Sequence, residues 1–214
     1  MCCRFYMEED PELASYFDEA AHSTLAAAVT QRLGKTVIAS GEVRPTDIAA
    51  VLASGKDGSP RAFPMVWGFR GTIKNRPLIN CRSETAEEKD IWRDPWKSHR
   101  CVIPATGYIE WERPENERAG KAQARKKYMV RPQTGALTYL AGLYRIEDYN
   151  GLLIPVFAVL TRAPAEGVRF LHDRMPLILP RDIIYQWIRP DEKPEQLLEQ
   201  AVTELNCIPA SSSV

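Results

Sequence analysis

The sequence predicts an α+β fold, a single domain spanning residues 2–214 and built on a curved, mostly antiparallel β-sheet. Three observations lead there: apolar residues at helical spacing near the N-terminus, a long succession of short β-branched and aromatic runs behind them, and no repeat or low-complexity linker to divide the chain. At 214 residues there is enough chain to bury one sizeable core.

Leu13, Phe17, Ala20, Ala21, Leu25, Ala28, Val29 and Leu33 recur close to every 3.6 residues, and Gly34 follows as a C-cap. Residues 11–33 therefore read as one amphipathic helix. From Thr36 to Leu143 the runs TVIAS, IAAVLA, AFPMVWGF, PLIN, RCVIPA, GYIEW, KYMVRP and LTYLAGLY are separated by Gly and Pro and read as strands. LLIPVFAVLTR reads as a buried strand, LHDRMPLILP as a loop entering another, and RDIIYQWI and PEQLLEQAVTEL as short helices.

Hydrophobic residues make up 44% and charged residues 26%, with 16 scattered prolines, a globular composition that argues against disorder. No apolar run reaches the roughly 18 to 20 residues of a membrane span, and MCCRFYMEEDPEL is too polar and acidic for a signal peptide. A cytoplasmic protein without membrane contact is expected. The cysteines at 2, 3, 81, 101 and 207 form no CxxC pair and the histidines no HExxH-like spacing, so neither a metal nor a cofactor is expected. An odd number of cysteines without a secretion signal implies free thiols and leaves open which of them reacts. Lys plus Arg equals Asp plus Glu, 28 against 28, so any nucleic-acid site must be a local patch.

Chemistry has three candidate sources. If Met1 is trimmed, Cys2 carries a free amine and a thiol on one residue, with pKa values near about 7.7–8.0 and 8.5. Such an aminothiol can take an aldehyde as a Schiff base and close it to a thiazolidine; the alternative is an incidental terminal cysteine. The stretch Arg61–Arg82 holds five basic residues and no acid, interleaved with Phe63, Trp67 and Phe69. That pattern suits single-stranded nucleic acid, with guanidinium groups on phosphates and rings on bases, or else a core strand with a solvated rim. A second basic cluster, Lys121–Arg131, reads as a solvated hairpin tip. Asn80 in LINCR, Glu110 in GYIEW and His172 in LHDRMP are polar where a strand would be apolar, and they are the residue types that move protons or hold a nucleophile.

The N-terminal MCxR, LINCRSET, PATGYIEW and LHDRMPLIL occur in that order. The sequence thereby resembles the SRAP family, the SOS response-associated peptidase domain proteins, from Cys2 to about Trp187. The resemblance implies a compact barrel-like β core with peripheral helices, binding of single-stranded DNA, and a thiazolidine crosslink to the ring-opened sugar of an abasic site. It also implies autocatalytic release of Met1 and leaves a lyase activity open. Carried over by position, Cys2 is the nucleophile, Asn80 the amide that orients it, Glu110 the acid and base, and His172 the second proton carrier. Arg4 and Arg82 match phosphate-binding arginines, and Trp67 with Pro45 match residues that pack against DNA.

Two departures stand out. Cys3 occupies a position that is usually Gly, which adds a competing thiol beside the nucleophile. CIPASSSV ends before the further Val-Asn segment of the family, so the last strand is expected to be incomplete. Two other classes fit parts of the pattern: an N-terminal-nucleophile hydrolase, which would not need the Arg61–Arg82 stretch, and a non-catalytic reader of modified or single-stranded DNA, whose complexes would not survive denaturation.

Overall fold

The period-two runs resolve into two sheets in the computed structural model, which describes residues 3–71, 76–113, 125–135 and 137–210. The strands are β1 (Phe5–Met7), β2 (Gly41–Val43), β3 (Ile48–Ser54), β4 (Pro60–Trp67), β5 (Asn80–Arg82), β6 (Arg100–Ala105) and β7 (Gly107–Trp111). They continue with β8 (Lys127–Pro132), β9 (Thr138–Tyr149), β10 (Leu152–Arg162), β11 (Met175–Pro176), β12 (Ile178–Leu179) and β13 (Leu205–Pro209). One sheet runs β13-β8-β7-β1-β2, antiparallel throughout. In the other, β10-β4-β3-β6-β9 returns to β10, which closes a five-stranded barrel with β5, β11 and β12 attached. Among the named strands of the described residues, only β10–β4 and β10–β5 pair in parallel. The fold is α+β on a mostly antiparallel, barrel-like core, as expected.

The predicted N-terminal helix is two helices, α1 (Pro11–Ala21) and α2 (Thr24–Leu33). Ser23 breaks it: its hydroxyl accepts from Ala26 N to start α2 and donates to Ala20 O to finish α1. Gly34 ends α2 in the left-handed region, φ 66°, donating to Thr30 O. A third helix, α3 (Asp90–Ser98), falls inside the stretch read as strands, burying Trp92 and Trp96 on one face despite Pro95. TVIAS makes only an isolated bridge, Val37 to Ile48. Near the C-terminus α4 (Ile184–Ile188) matches expectation, whereas α5 stops at Leu198 (Pro194–Leu198), after which Val202 N bonds Ile178 O.

The two sheets share one core. Phe5 of the first meets Trp67 of the barrel at 5.1 Å between ring centroids, and Trp67 stacks on Phe157 at 5.9 Å. Arg100 is 1% exposed and gives all its bonds to backbone carbonyls, those of Trp187 (2.7 Å), Trp96 (2.8 Å), Lys97 (2.8 Å), Glu192 (2.9 Å) and Arg189. It thereby satisfies the free carbonyls at the C-terminal ends of α3 and α4 with a cation, the sign that a helix C-terminus favours. At the start of β7, Gly107 packs so closely under β8 that a Cβ there would sit 2.7 Å from both Met129 Sδ and Val130 O. No helix among the described residues is long and apolar enough to cross a membrane.

Candidate active site

The expected residues fall on both sheets and the loop before β11. Met1 and Cys2 lie outside the described residues, so the site is built from Cys3 onward. Phe5 pairs with Tyr108 of β7 and with Val43 of β2, and Ile109 N donates to Arg4 O at 2.9 Å. The ladder therefore runs from Phe5 back toward Cys3 alongside the C-terminal half of β7, which carries Glu110, while β2 ends at Val43 and the chain turns away at Pro45. Residues facing each other across an antiparallel pair share a face, so Glu110 lies on the inward face with Tyr108, whereas Trp111 and Arg4 lie on the outward face.

Glu110 is 8% exposed, and its Oε1 accepts weakly from Trp111 N at 3.3 Å. Its carboxylate is close enough to His172 to act on the imidazole electrostatically. His172 is half-buried in the loop before β11, and two neighbours compete for Nδ1. Arg174 N donates to it at 3.0 Å, which requires a lone pair, while Asp173 Oδ1 lies 2.6 Å away, which suits a proton. The ring is thus built to hold either state, with Arg174 N favouring the neutral form and Asp173 the charged one. Burial lowers its pKa below the ordinary imidazole value, against the pull of Glu110 and Asp173.

Asn80 opens β5 beside Val159 of β10, half-buried, and Arg82 at the other end of β5 is exposed. This strand is tied to the His172 loop through β10. Thr161 Oγ1 donates to Cys81 O at 3.2 Å, and Arg174 donates to Thr161 O at 2.6 Å and to both Glu84 oxygens at 2.7 Å. From below, Trp67 Nε1 donates to Ile79 O at 3.0 Å. The strand that Asn80 opens and the loop that carries His172 are thus tied together through β10, and Glu110 of β7 acts on His172 from beside β1. A cavity of about 480 Å³ lined by Lys35, Thr46, Gly68 and Arg70 lies elsewhere and contains none of them.

On the outward face Arg4 donates to Glu42 at 2.6 Å and lies over the Trp111 ring, 4.9 Å from its centroid. Arg44 and Lys127 meet the same carboxylate at 2.7 and 3.2 Å. Burial opposes ionisation of Glu42, but Arg44, Lys127 and Arg4 outweigh it and hold the carboxyl below its usual value. Pro45 occupies the corner of the turn Arg44–Asp47, closed by Asp47 N to Arg44 O at 3.0 Å. Thr46 takes φ 74° there, a conformation rare for a β-branched residue, and is held by Lys35 Nζ on both its carbonyl and its hydroxyl.

One expectation is corrected. Trp67 and Phe69 are both 0% exposed, so neither offers a free ring to a base, and Phe63 is half-buried against the core. Trp67 supports β5 from within instead. The thiols sort themselves likewise: burial pushes Cys81 up to about 12 and Cys101 well above the ordinary thiol value, so both fill space. Arg174 and Trp111 were missed, although each stands beside a singled-out residue, in LHDRMP and in GYIEW.

A family model described as SOS response associated peptidase (SRAP) matches residues 1–214. The chain belongs to the SRAP family. Among curated relatives it is 32% identical to the abasic site processing protein YoaM of Bacillus subtilis, over 70% of this chain and 68% of that protein. It is 25% identical to the Escherichia coli abasic site processing protein YedK, over 75% and 69%. It is 29% identical to the Xenopus tropicalis abasic site processing protein HMCES over 64% of this chain, where the match spans 48% of the frog protein. The SRAP fold is shared with a Bacteroides thetaiotaomicron protein of solved structure, with a TM-score of 0.74 at 17% identity, over 99% of this chain and 93% of that one.

Proposed function

We propose that this SRAP protein captures abasic sites in single-stranded DNA as a thiazolidine on Cys2, made N-terminal by autocatalytic removal of Met1. The observation that supports the reading is the pairing of two proton carriers, Glu110 on the strand beside β1 and His172 within its electrostatic reach, with the His172 loop tied to the strand that Asn80 opens. The printed names of the curated relatives support the substrate class.

Each chemical demand has a candidate group. An abasic sugar is mostly closed hemiacetal, and opening it to the aldehyde requires a proton to move between two oxygens. His172, able to hold its proton or not, suits that step. The Cys2 amine then adds to the aldehyde carbon, and Glu110 delivers the proton that lets the hydroxyl leave as water. The Cys2 sulfur attacks the imine carbon while the nitrogen takes a proton, giving the five-membered ring with the net loss of one water. Asn80 positions the reacting residue, and Arg4 and Arg82, with Pro45 at the neighbouring turn, guide the DNA backbone. Until the sulfur adds, the imine is open to elimination, so strand cleavage as a lyase is the side reaction.

The test uses an oligonucleotide with one abasic site and denaturing electrophoresis. Wild type should give a heat-stable adduct mapping to Cys2, on a protein lighter by one methionine. Cys2→Ala should leave only a borohydride-trappable imine, and a chain extended before Cys2 should leave neither. A stable adduct from the extended chain, or one on Cys3, would overturn the mechanism.

A further inference from the structure

The fold buries the rings of Trp67 and Phe69 but exposes another beside the proton carriers. Phe170 is 44% exposed and meets Tyr128 edge-on, with ring centroids 5.5 Å apart. Tyr128 stands directly opposite Glu110 in the β7–β8 ladder, so the two side chains rise from the same face. Phe170 itself is two residues before His172. Its backbone is fixed on both sides: Arg113 N donates to the Phe170 carbonyl at 3.3 Å, and Leu171 N donates to Val168 O at 3.0 Å.

Two arginines adjoin Phe170 along the backbone, Arg169 just before it and Arg113 bonded to its carbonyl. Arg113 and Arg169 are exposed, and their partners, Asp173 and Glu166, are exposed carboxylates at 3.1 and 3.2 Å. Pairs of that kind hold weakly and exchange readily for phosphate oxygens. An exposed aromatic edged by exchangeable guanidinium groups fits unpaired nucleic acid.

The substrate of the proposed reaction supplies the rest of the argument, which rests on that reading. An abasic nucleotide has no base by which to be held. Phosphate contacts position the strand but do not tell one nucleotide from another, because every phosphate is alike. To keep the bare sugar at Glu110 and His172, the protein must hold a neighbouring base. We propose that Phe170, backed by Tyr128, is the stacking platform for the unpaired base next to the abasic sugar.

The probe is a single-stranded oligonucleotide with 2-aminopurine beside a tetrahydrofuran residue, a closed abasic analogue that cannot react. Wild type should change the 2-aminopurine fluorescence on binding. Phe170→Leu, apolar but without a ring, should abolish that change and weaken binding about 5- to 150-fold, the span expected for one lost stacked base. Phe170→Trp should restore both. On an oligonucleotide whose neighbouring positions are also tetrahydrofuran, wild type and Phe170→Leu should bind alike. Equal affinity and fluorescence for Phe170→Leu on the first probe, or an equal loss on both probes, overturns the platform. If wild type crosslinks reactive abasic DNA while Phe170→Leu matches it throughout, the platform alone fails; if wild type neither binds nor crosslinks, both readings fail.

Discussion

Glu110→Gln replaces a carboxylate by an amide of nearly the same size at a position 8% exposed, so packing is retained and only the charge and its proton are lost. Loss of a general acid or base costs about 100- to 10,000-fold in rate. At about 1.36 kcal/mol per decade this raises the barrier by roughly 2.7–5.4 kcal/mol. A second effect is specific to this site, because the Glu110 charge is one of the influences that raise His172 against burial. Burial already keeps His172 neutral somewhat below the ordinary imidazole pKa of about 6.5. Removing Glu110 lets its pKa fall further, so the acid limb of the residual rate should move to lower pH. Stability follows the same sign: a depressed His172 contributes stability present above about pH 6.5 and lost as pH falls through its folded pKa. Single-turnover crosslinking to abasic single-stranded DNA, followed by denaturing electrophoresis from about pH 4.5 to 8, reads both effects across the imidazole range. A rate within about threefold of wild type would remove Glu110 from proton transfer. An acid limb that stays put or moves upward would refute its coupling to His172.

Two further outcomes test other parts of the molecule. Arg100→Met should cost about 4 kcal/mol, since it strands carbonyls on Trp187 and Trp96 inside the core at roughly 1–3 kcal/mol each besides the lost charged bonds. That is a fall of about 8–16 °C in melting temperature for a chain of this size, and an unchanged melt would refute the role given to the guanidinium. Arg4→Ala and Arg82→Ala should each lower the salt slope of single-stranded DNA binding by about one, as expected for one lost phosphate contact. Filter binding across salt concentrations measures it, and parallel slopes would remove both arginines from the interface.

What the sequence made legible follows from how far each signal extends along the chain. LLIPVFAVLTR matches β10 residue for residue because an eleven-residue run leaves little room for another reading. Three-residue strands such as β1 and β2 carry no periodicity, since their pairing is decided by Tyr108 and Val43 across the sheet. Helix α3 escaped because Pro95 argues locally against it, and only the burial of Trp92 and Trp96 outweighs that. At the site the reactive types Asn80, Glu110 and His172 stood out as polar residues in apolar runs. The rings did not sort themselves, because Trp67 and Phe69 look the same in a sequence whether they face a base or a core. Phe170 gave no signal at all, because the Tyr128 ring that backs it comes from another strand, forty-two residues earlier in the chain.

The crowding around Gly107 reaches further than the space it saves. If β7 slipped by one residue against β8, Thr106 or Tyr108 would enter the slot where even a Cβ would lie 2.7 Å from Met129 Sδ and Val130 O. The slipped hairpin is therefore excluded on steric grounds. The same slip would turn Glu110 to the outward face and Trp111 to the inward one. A residue with no chemistry of its own thus keeps the two faces of the strand assigned. An insertion or deletion within GYIEW should therefore disturb both faces together, whereas a substitution at Glu110 or Trp111 alters one face alone.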